Sequence, residues 1–314
     1  GAYLLSRIDR LRYRRGVLPL MEEDLALSRS QRVSGRRGET TLFRRPTGLA
    51  AAPDGDLFLV SLGTQEVLRI TPNGRIRTRI RAGLEGLDKP FDVAWRSGLL
   101  YVTEFGRDRV VVLNDDGGVV SSFGGPGLDD GELLGPQFIA LDDDGFVYVS
   151  EWGGRRVSKF SPEGEFALSF GTPTPFFAGL NNPTGIAVRS GRVYVADVHE
   201  SGPVIEVFDT SGNHLRRVPL PVTIDDAPEH AVAGTVVEDI AWYDDSLLLV
   251  TAGDGVLVFD LDNQATETTI RDEERLRVSS AVRDANNRVV VSDFDADEFA
   301  VFEPEGTLYA GLDV

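Results

Sequence analysis

Three observations predict an all-β protein in which six four-stranded antiparallel sheets form a six-bladed β-propeller. First, one phrase returns six times with a period of about 40–50 residues, which is typical of repeat arrays and propellers. Second, each copy alternates β-branched and polar residues, as strands do. Third, Asp-Gly, Asn-Gly and Glu-Gly pairs separate the alternating runs, as in tight hairpins. The copies begin at Pro46, Pro90, Pro136, Pro183, Val237 and Val278.

The third copy shows why four strands are expected in each blade. After Pro136 the chain reads QFIALDDDGFVYVSEWGGRRVSKFSPEGEFALSF. In this run FIALD, FVYVSE and RRVSKFS are the first three strands, and EFALSF is a weaker fourth. A single blade cannot bury its own apolar surface, so neighbouring blades must pack on one another. Closing them into a ring leaves only short, protected sheet edges.

The two ends of the chain are assigned separately from the copies. Near the N-terminus, apolar residues recur at helical spacing at Tyr3, Leu4, Ile8 and Leu11. Residues 1–24 are therefore predicted to form an N-terminal helical extension, and residues 25–314 form the propeller. Within the propeller, residues 25–34 are expected to be the outermost strand of the last blade and so to close the ring. The alternative is that GTLYAGL, near the C-terminus, closes it.

The copies contain Pro-x-Gly-Ile-Ala-Val, an Asp-Gly turn, Val-Tyr-Val-Ala-Asp and a glycine-containing turn with arginine. This pattern resembles the NHL repeat over roughly residues 46–305, with the fifth copy degenerate. The resemblance implies a six-bladed propeller that presents a binding surface. Some similar propellers, which resemble peptidylglycine lyase, gluconolactonase or strictosidine synthase, are enzymes. Because one fold hosts many functions, the site residues must decide between these classes.

Composition limits the partners of this protein. The net charge of −18 disfavours nucleic acid, whose binders need a basic surface. No apolar run reaches the roughly 18–20 residues of a transmembrane segment, and no signal-peptide pattern is present. The chain has no cysteine, which excludes disulfides and cysteine-based zinc sites. This composition suits either redox environment and favours an extracytoplasmic one, periplasmic or secreted.

Acidic residues stand at the ends of most second strands, namely Glu104, Glu151, Asp197 and Asp293. Arginine follows two of them five residues later, as Arg109 and Arg156, so the hairpin register predicts cross-strand ion pairs. The alternative is that carboxylates around the mouth of the central channel hold a divalent cation. Calcium suits such a site because it prefers hard oxygen ligands.

The first strands supply further candidate metal ligands. Asp92 in the second copy, and the neighbouring pair Glu238 and Asp239 in the fifth, stand where the other copies carry mainly apolar residues or glycine. The simpler interpretation is that they line a wet channel. With Glu151 and Asp197, they would form the metal site of a calcium-dependent hydrolase or lyase. A gluconolactonase-like site also needs asparagine at these positions, and none is present, which argues against lactonase chemistry. No other cofactor is predicted.

Aromatic residues mark a candidate binding surface on the face that carries the channel mouth. The loop TPTPFFAGLNN, residues 172–182, is predicted to expose Phe176 and Phe177. Turn residues add a partial aromatic crown, formed by Phe105, Trp152 and Phe294. A second long segment, about residues 217–236, also leads into a first strand, and loops of this length tend to be functional or disordered. Exposed aromatic side chains are frequent anchors in protein interfaces.

His199 is the remaining candidate. It lies on a two-residue insertion in the turn of the fourth copy, beside Asp197 and Glu200. A histidine near carboxylates can act as a general base or a metal ligand, although surface histidines on enlarged turns are commoner. No Ser-His-Asp spacing, P-loop or Cys/His cluster is present, so the sequence favours a non-enzymatic role.

The sequence therefore predicts a non-catalytic propeller that captures a protein or peptide partner on the channel-mouth face. The candidate binding residues are Phe105, Trp152, Phe176, Phe177, His199 and Phe294. The alternative is a calcium-type metal-dependent hydrolase or lyase similar to gluconolactonase propellers. A further alternative is a structural module of a larger assembly.

Overall fold

The computed structural model describes residues 27–221, 237–253, 255–271 and 277–304. The predicted N-terminal helix, residues 1–24, lies outside the described residues. So do residues 222–236, which make up most of the second long segment, and residues 305–314, which include the C-terminal candidate for ring closure.

The described residues are almost entirely β-structure. Three strands precede the first complete blade: β1 (Leu27–Ser34), β2 (Arg36–Arg37) and β3 (Thr40–Thr41). Blade 1 contains β4 (Pro46–Ala51), β5 (Leu57–Ser61), β6 (Glu66–Ile70) and β7 (Ile76–Ile80). Blade 2 contains β8 (Pro90–Arg96), β9 (Leu99–Glu104), β10 (Arg109–Asn114) and β11 (Val119–Gly124). Blade 3 contains β12 (Pro136–Leu141), β13 (Val147–Glu151), β14 (Arg156–Phe160) and β15 (Phe166–Phe170).

The second half of the ring repeats this pattern. Blade 4 contains β16 (Pro183–Arg189), β17 (Arg192–His199), β18 (Gly202–Asp209) and β19 (His214–Pro219). Blade 5 contains β20 (Val237–Trp242), β21 (Leu247–Ala252), β22 (Gly255–Asp260) and β23 (Ala265–Arg271). Blade 6 contains β24 (Val278–Arg283), β25 (Val289–Asp293) and β26 (Glu298–Pro304). A 3₁₀ turn, Phe105–Arg107, links β9 to β10.

Among the described residues six sheets are four-stranded and antiparallel, which confirms the predicted six-bladed propeller, and β2 and β3 form a separate two-stranded sheet. The first strands of successive blades contact one another around the axis, and β24 of blade 6 contacts β4 of blade 1. Between those strands, the Ser279 hydroxyl donates a hydrogen bond to the Pro46 carbonyl at 2.6 Å. The outer position of blade 6 is taken by β1, which pairs antiparallel with β26. The N-terminal strand therefore completes the last sheet.

The apolar core is divided into six clusters, and each cluster lies between two neighbouring blades. Between blades 6 and 1, for example, Val290 and Phe299 pack with Leu59, and Val33 of β1 packs against them. Because both faces of a blade meet a neighbour, second strands such as β5 and β13 are buried along their whole length. Burial of these side chains is the main force that holds the ring together.

The turn joining strands one and two is closed by an aspartate in blade 3 and by Asp284 in blade 6, whereas blades 2 and 4 use a Ser-Gly pair. In blade 3 the Asp142 carboxylate accepts hydrogen bonds from the N–H groups of Asp144 at 3.1 Å and Phe146 at 2.9 Å. Gly145, at φ 88°, occupies the left-handed position of that turn. The Asp-Gly pairs read from the sequence therefore mark the hairpins correctly. No helix among the described residues has the length and apolar character needed to span a membrane.

Candidate binding groove and the charged cluster of blade 4

One face of the ring carries the loops that lead into the first strands and the turns that join second to third strands. On this face a groove of about 650 Å³ lies between blades 3 and 4. Its walls are the turn of blade 3 at Gly154 and Arg155, the interblade loop at residues 172–173 and 178–181, and the turn of blade 4 at residues 199–201. We call this feature the blade 3–4 groove.

Two aromatic side chains stand exposed on the segments that form this groove. Phe176, in the interblade loop, is 97% exposed, and Trp152, in the turn of blade 3, is 51% exposed. The prediction that Phe177 is also exposed is wrong, because only 7% of it is accessible. Phe177 stacks on the His214 ring at 4.3 Å and meets Phe208 edge-on at 5.5 Å, so it anchors the loop to blade 4.

The other two aromatic candidates are partly covered and lie at other blades. Phe105, in blade 2, packs against Phe91 with ring centroids 6.4 Å apart. Phe294, in blade 6, contacts two guanidinium groups, those of Arg45 at 5.6 Å and Arg277 at 5.0 Å. The structure therefore places His199 in the lining of the groove and Trp152 and Phe176 on the segments beside it, and it leaves Phe105 and Phe294 at separate blades.

The acidic residues at the ends of the second strands are buried in the described blades. In blade 3, Glu151 is fully buried and lies opposite Arg156 in the hairpin register. It accepts hydrogen bonds from Arg156 Nε at 2.9 Å, Ser158 Oγ at 2.5 Å and the Leu134 N–H at 2.8 Å. Burial raises the pKa of Glu151, and these three donors oppose that shift. Glu151 thus ties the preceding loop to the hairpin.

Blade 2 uses the same arrangement. Glu104 is fully buried, lies opposite Arg109, and accepts hydrogen bonds from Arg109 Nε and from the Asp88 N–H at 2.6 Å. In blade 6, Asp293 accepts hydrogen bonds from the N–H groups of Asp295 and Ala296. The predicted Glu–Arg pairs are therefore present as structural contacts within single hairpins.

Blade 4 departs from this pattern because its turn carries two more residues. Asp197 lies opposite Val204, so no arginine faces it across the hairpin. Its carboxylate instead accepts hydrogen bonds from the N–H groups of Asn181 and Asn182, the latter at 2.6 Å. His199 Nε2 lies 2.8 Å from Asp197 Oδ2.

A second buried carboxylate, Glu206 of β18, completes this site. Glu206 Oε1 accepts a hydrogen bond from Arg217 Nε at 2.7 Å, and His214 Nε2 lies 2.7 Å from Glu206 Oε2. His199 Nε2 is 3.5 Å from Glu206 Oε1. We call Asp197, His199, Glu206, His214 and Arg217 the blade 4 cluster. Its side chains meet because residues two apart on a strand share one face of the sheet.

Two fully buried carboxylates within one cluster impose an electrostatic cost. Burial raises the pKa of Asp197, and the charge of Glu206 adds to this shift. The N–H groups of Asn181 and Asn182 and the nearby His199 oppose it. The cluster is therefore a place where a cation is stabilised.

The sequence identified two members of this cluster, Asp197 and His199, and missed Glu206, His214 and Arg217. A usable signal was present, since the insertion lengthens the β17–β18 hairpin and changes which residues face one another. Applying that register would have placed Glu206 on the same sheet face as Asp197 and His199.

The first-strand carboxylates lie inside the channel. Asp92 and Asp239 belong to blades 2 and 5, which are opposite one another in a six-membered ring. Each lies against a glycine of the preceding blade, because a Cβ on Gly48 would be 2.4 Å from Asp92 Oδ1 and one on Gly185 would be 2.6 Å from Asp239 Cα. Burial raises the pKa of Asp239 to about 7, opposed by a hydrogen bond from Ser280. Burial also raises the pKa of Asp92 well above its usual range, with repulsion from Asp239 adding to the shift.

Glu238 stands beside this channel pair. Burial raises the pKa of Glu238 to about 7, although Arg277, whose Nε is 3.7 Å from Glu238 Oε1, opposes the shift. Among the described residues, Asp92, Glu151, Glu238 and Asp239 do not gather into a group of three metal-ligating side chains. Asp197, His199 and Glu206 do, with one ligand atom of each lying within 4.8 Å of the others.

Comparisons with known proteins support the fold. No protein-family model matches the chain, and no curated protein sequence matches it. Solved structures do match, at identities that bear on the fold alone. One is a catalytically inactive variant of virginiamycin B lyase from Staphylococcus aureus with quinupristin (TM-score 0.61, 14% identity, 89% of this chain and 99% of that chain).

Two other propellers are similar to this chain. A putative gluconolactonase matches with a TM-score of 0.65 and 14% identity over 90% of this chain and 94% of that chain. The WD40 β-propeller domain of Doa1 matches with a TM-score of 0.54 and 9% identity over 84% of this chain and 80% of that chain. These likenesses support a six-bladed β-propeller, and they do not confirm membership of the NHL-repeat family. The neighbours include both enzyme and WD40 propellers, so the fold alone does not decide the function.

Proposed function

We propose that this protein is a binding propeller that captures an extended peptide segment of a partner in the blade 3–4 groove. The observation that carries the proposal is the exposure of Trp152 and Phe176 on two of the three segments that form the groove. Large apolar side chains exposed beside a concave surface are typical of interaction sites. Buried Phe177 holds the loop that presents Phe176, which reduces the entropy lost when a partner binds.

The groove also suggests the chemistry of the peptide. Arg155 lines it, is exposed, and makes no hydrogen bond or ion pair with any described residue. Because the chain has a net charge of −18, an exposed arginine without an acidic partner among the described residues offers a local positive charge on an acidic protein. Arginine pairs well with carboxylates because its planar fork can donate two parallel hydrogen bonds. We therefore expect a peptide with one acidic residue beside one or two apolar side chains.

The test uses a library of random peptides displayed on phage and selected against the full chain. Selected peptides should combine an acidic and an apolar residue. Synthetic versions should bind wild-type protein and lose roughly tenfold or more in affinity when Trp152 and Phe176 are both changed to alanine, since an interface anchor contributes about 2 kcal/mol or more.

Val120→Ala is the matched control, because Val120 is 56% exposed on the outer strand of blade 2, away from the groove. It should leave peptide affinity unchanged. Selection of the same peptides by wild-type protein and by the double variant would overturn the proposal.

A second candidate, a metal-dependent hydrolase or lyase, is favoured by one observation, the grouping of Asp197, His199 and Glu206. Turnover of a lactone or ester substrate that is abolished by a chelator and by His199→Ala would favour this candidate over peptide capture.

A further inference from the structure

We infer that Asp197, His199 and Glu206 of blade 4 form a binding site for a divalent transition-metal ion of the zinc type, with the Arg217 guanidinium as a competing cation. This site differs from the channel-mouth calcium site expected from sequence, because all three ligands belong to one hairpin. It does not depend on the proposed peptide.

The ligand atoms are spaced for a small metal ion. His199 Nε2 is 2.8 Å from Asp197 Oδ2 and 3.5 Å from Glu206 Oε1. Ligands about 2.0–2.1 Å from a tetrahedral zinc ion stand about 3.3 Å apart, so the observed distances lie on both sides of that value. The ligand oxygens of Asp197 and Glu206 lie within 4.8 Å of each other, so an ion between them requires a side-chain rotation that brings these oxygens closer together. One imidazole with two carboxylates suits zinc better than calcium or magnesium, which prefer oxygen ligands alone.

Other residues hold the candidate ligands in place, as the outer partners of metal ligands do. The Asp197 carboxylate is fixed by the N–H groups of Asn181 and Asn182. The second oxygen of Glu206 lies 2.7 Å from His214 Nε2, and the His214 ring is itself stacked on Phe177. Both carboxylates are fully buried, so they are oriented by the fold and not by solvent.

The Arg217 guanidinium already places a positive charge beside the candidate ligand atoms. Its Nη2 is 2.6 Å from Glu206 Oε1 and 3.3 Å from His199 Nε2, so the guanidinium contacts two of the three ligand atoms. His199 Nε2 cannot donate a proton to Asp197 and accept one from Arg217 at the same time. The Arg217 side chain is 40% exposed, so it can swing into solvent and leave its place to a metal ion. The site thus exchanges one cation for another.

Access to the site is provided by the blade 3–4 groove. His199 and Asn181 line that groove, and the His199 side chain is 16% exposed. A hydrated ion can therefore reach His199 from solvent, while Asp197 and Glu206 lie behind it. A groove-facing ligand also leaves a coordination position open to water or to a bound molecule.

The experiment measures metal binding without any peptide. Chelator-treated protein is titrated with zinc chloride by calorimetry, and the visible absorption of the cobalt(II)-substituted protein reports the ligands. Wild-type protein should bind one ion per chain. His199→Ala should weaken binding roughly tenfold or more, and Arg217→Gln should strengthen it by about tenfold because a competing positive charge is removed.

The matched control is Arg109→Gln in blade 2, which removes an arginine from a buried carboxylate, Glu104, that has no histidine partner. It should leave the zinc affinity unchanged. Thermal melting of each variant verifies that the fold is intact, and Glu206→Gln provides a second ligand variant.

Three results would overturn the inference. The first is the absence of saturable zinc binding by wild-type protein, even if the Arg217→Gln variant binds zinc. The second is a zinc affinity that His199→Ala leaves unchanged. The third is an equal rise in zinc affinity in the Arg109→Gln and Arg217→Gln variants. Loss of peptide binding with retained zinc binding would contradict the proposed function and leave this inference standing.

Discussion

Blades 3 and 4 share one strand order, yet they use the acidic residue at the end of the second strand differently. In blade 3, Glu151 meets Arg156 directly across the hairpin and is fully satisfied. In blade 4, two additional turn residues place Val204 opposite Asp197, whose carboxylate lies beside His199 instead, while Arg217 pairs with Glu206. The longer turn of blade 4 thus goes with a different use of this carboxylate, which pairs with an arginine in blade 3 and joins His199 and Glu206 in a cluster in blade 4.

The largest expected effect is a loss of stability when the Glu151–Arg156 pair of blade 3 is broken. Glu151→Ala should lower the free energy of unfolding by about 3–5 kcal/mol, because it leaves the buried Arg156 guanidinium without its carboxylate. Chemical denaturation at neutral pH measures the loss. Exposed Glu163 in the same blade is the control, and its alanine variant should stay within about 0.5 kcal/mol of wild type. If Glu151→Ala lost as little stability as Glu163→Ala, the Glu151–Arg156 pair would not be the structural contact that distinguishes blade 3 from blade 4.

An intermediate effect on stability is expected from Asp239 in the channel, which does not face an arginine across a hairpin as Glu151 does. Burial raises the pKa of Asp239 from its ordinary value of 3.8 to about 7, so the folded state holds a proton that the unfolded chain releases. This contribution to stability is complete below pH 3.8 and is lost as the pH rises through about 7. Asp239→Asn should therefore flatten the decline in stability over that range.

Denaturation of wild-type and Asp239→Asn protein between pH 4 and pH 8 provides the measurement. The difference between the two curves reports Asp239 together with the repulsion that it exerts on Asp92. A difference that stays constant with pH would show that Asp239 titrates alike in the folded and unfolded states.

The smallest effect concerns the stability of blade 4 itself. His199→Ala should cost only about 1 kcal/mol, because Asp197 keeps the N–H groups of Asn181 and Asn182 as donors. Thermal and chemical denaturation in metal-free buffer would measure this. A cost equal to that of Glu151→Ala would mean that the blade 4 cluster serves chiefly to stabilise the fold.

Most of the architecture could be predicted because it rests on local patterns. The alternation within copies and the Asp-Gly turns locate the strands, as Asp142 and Gly145 illustrate in blade 3. The Glu151–Arg156 pair could also be predicted, since a hairpin register needs only the length of its turn. These features depend on residues close together in the chain.

The sites were harder to predict because their members come from separate segments. Phe176 and Phe177 are identical neighbours in sequence, yet one is exposed and the other stacks on His214 of the next blade. Arg217 reaches Glu206 from the outer strand, which no spacing within the second and third strands indicates.

The amino-acid sequence by itself determined the number of blades and their strands, because repeated alternation and repeated turns act over a few residues. Only the tertiary structure decided which side chains are covered, which carboxylates share a cluster and where a groove opens. Those outcomes depend on how neighbouring blades pack, and packing joins residues that are distant in the chain.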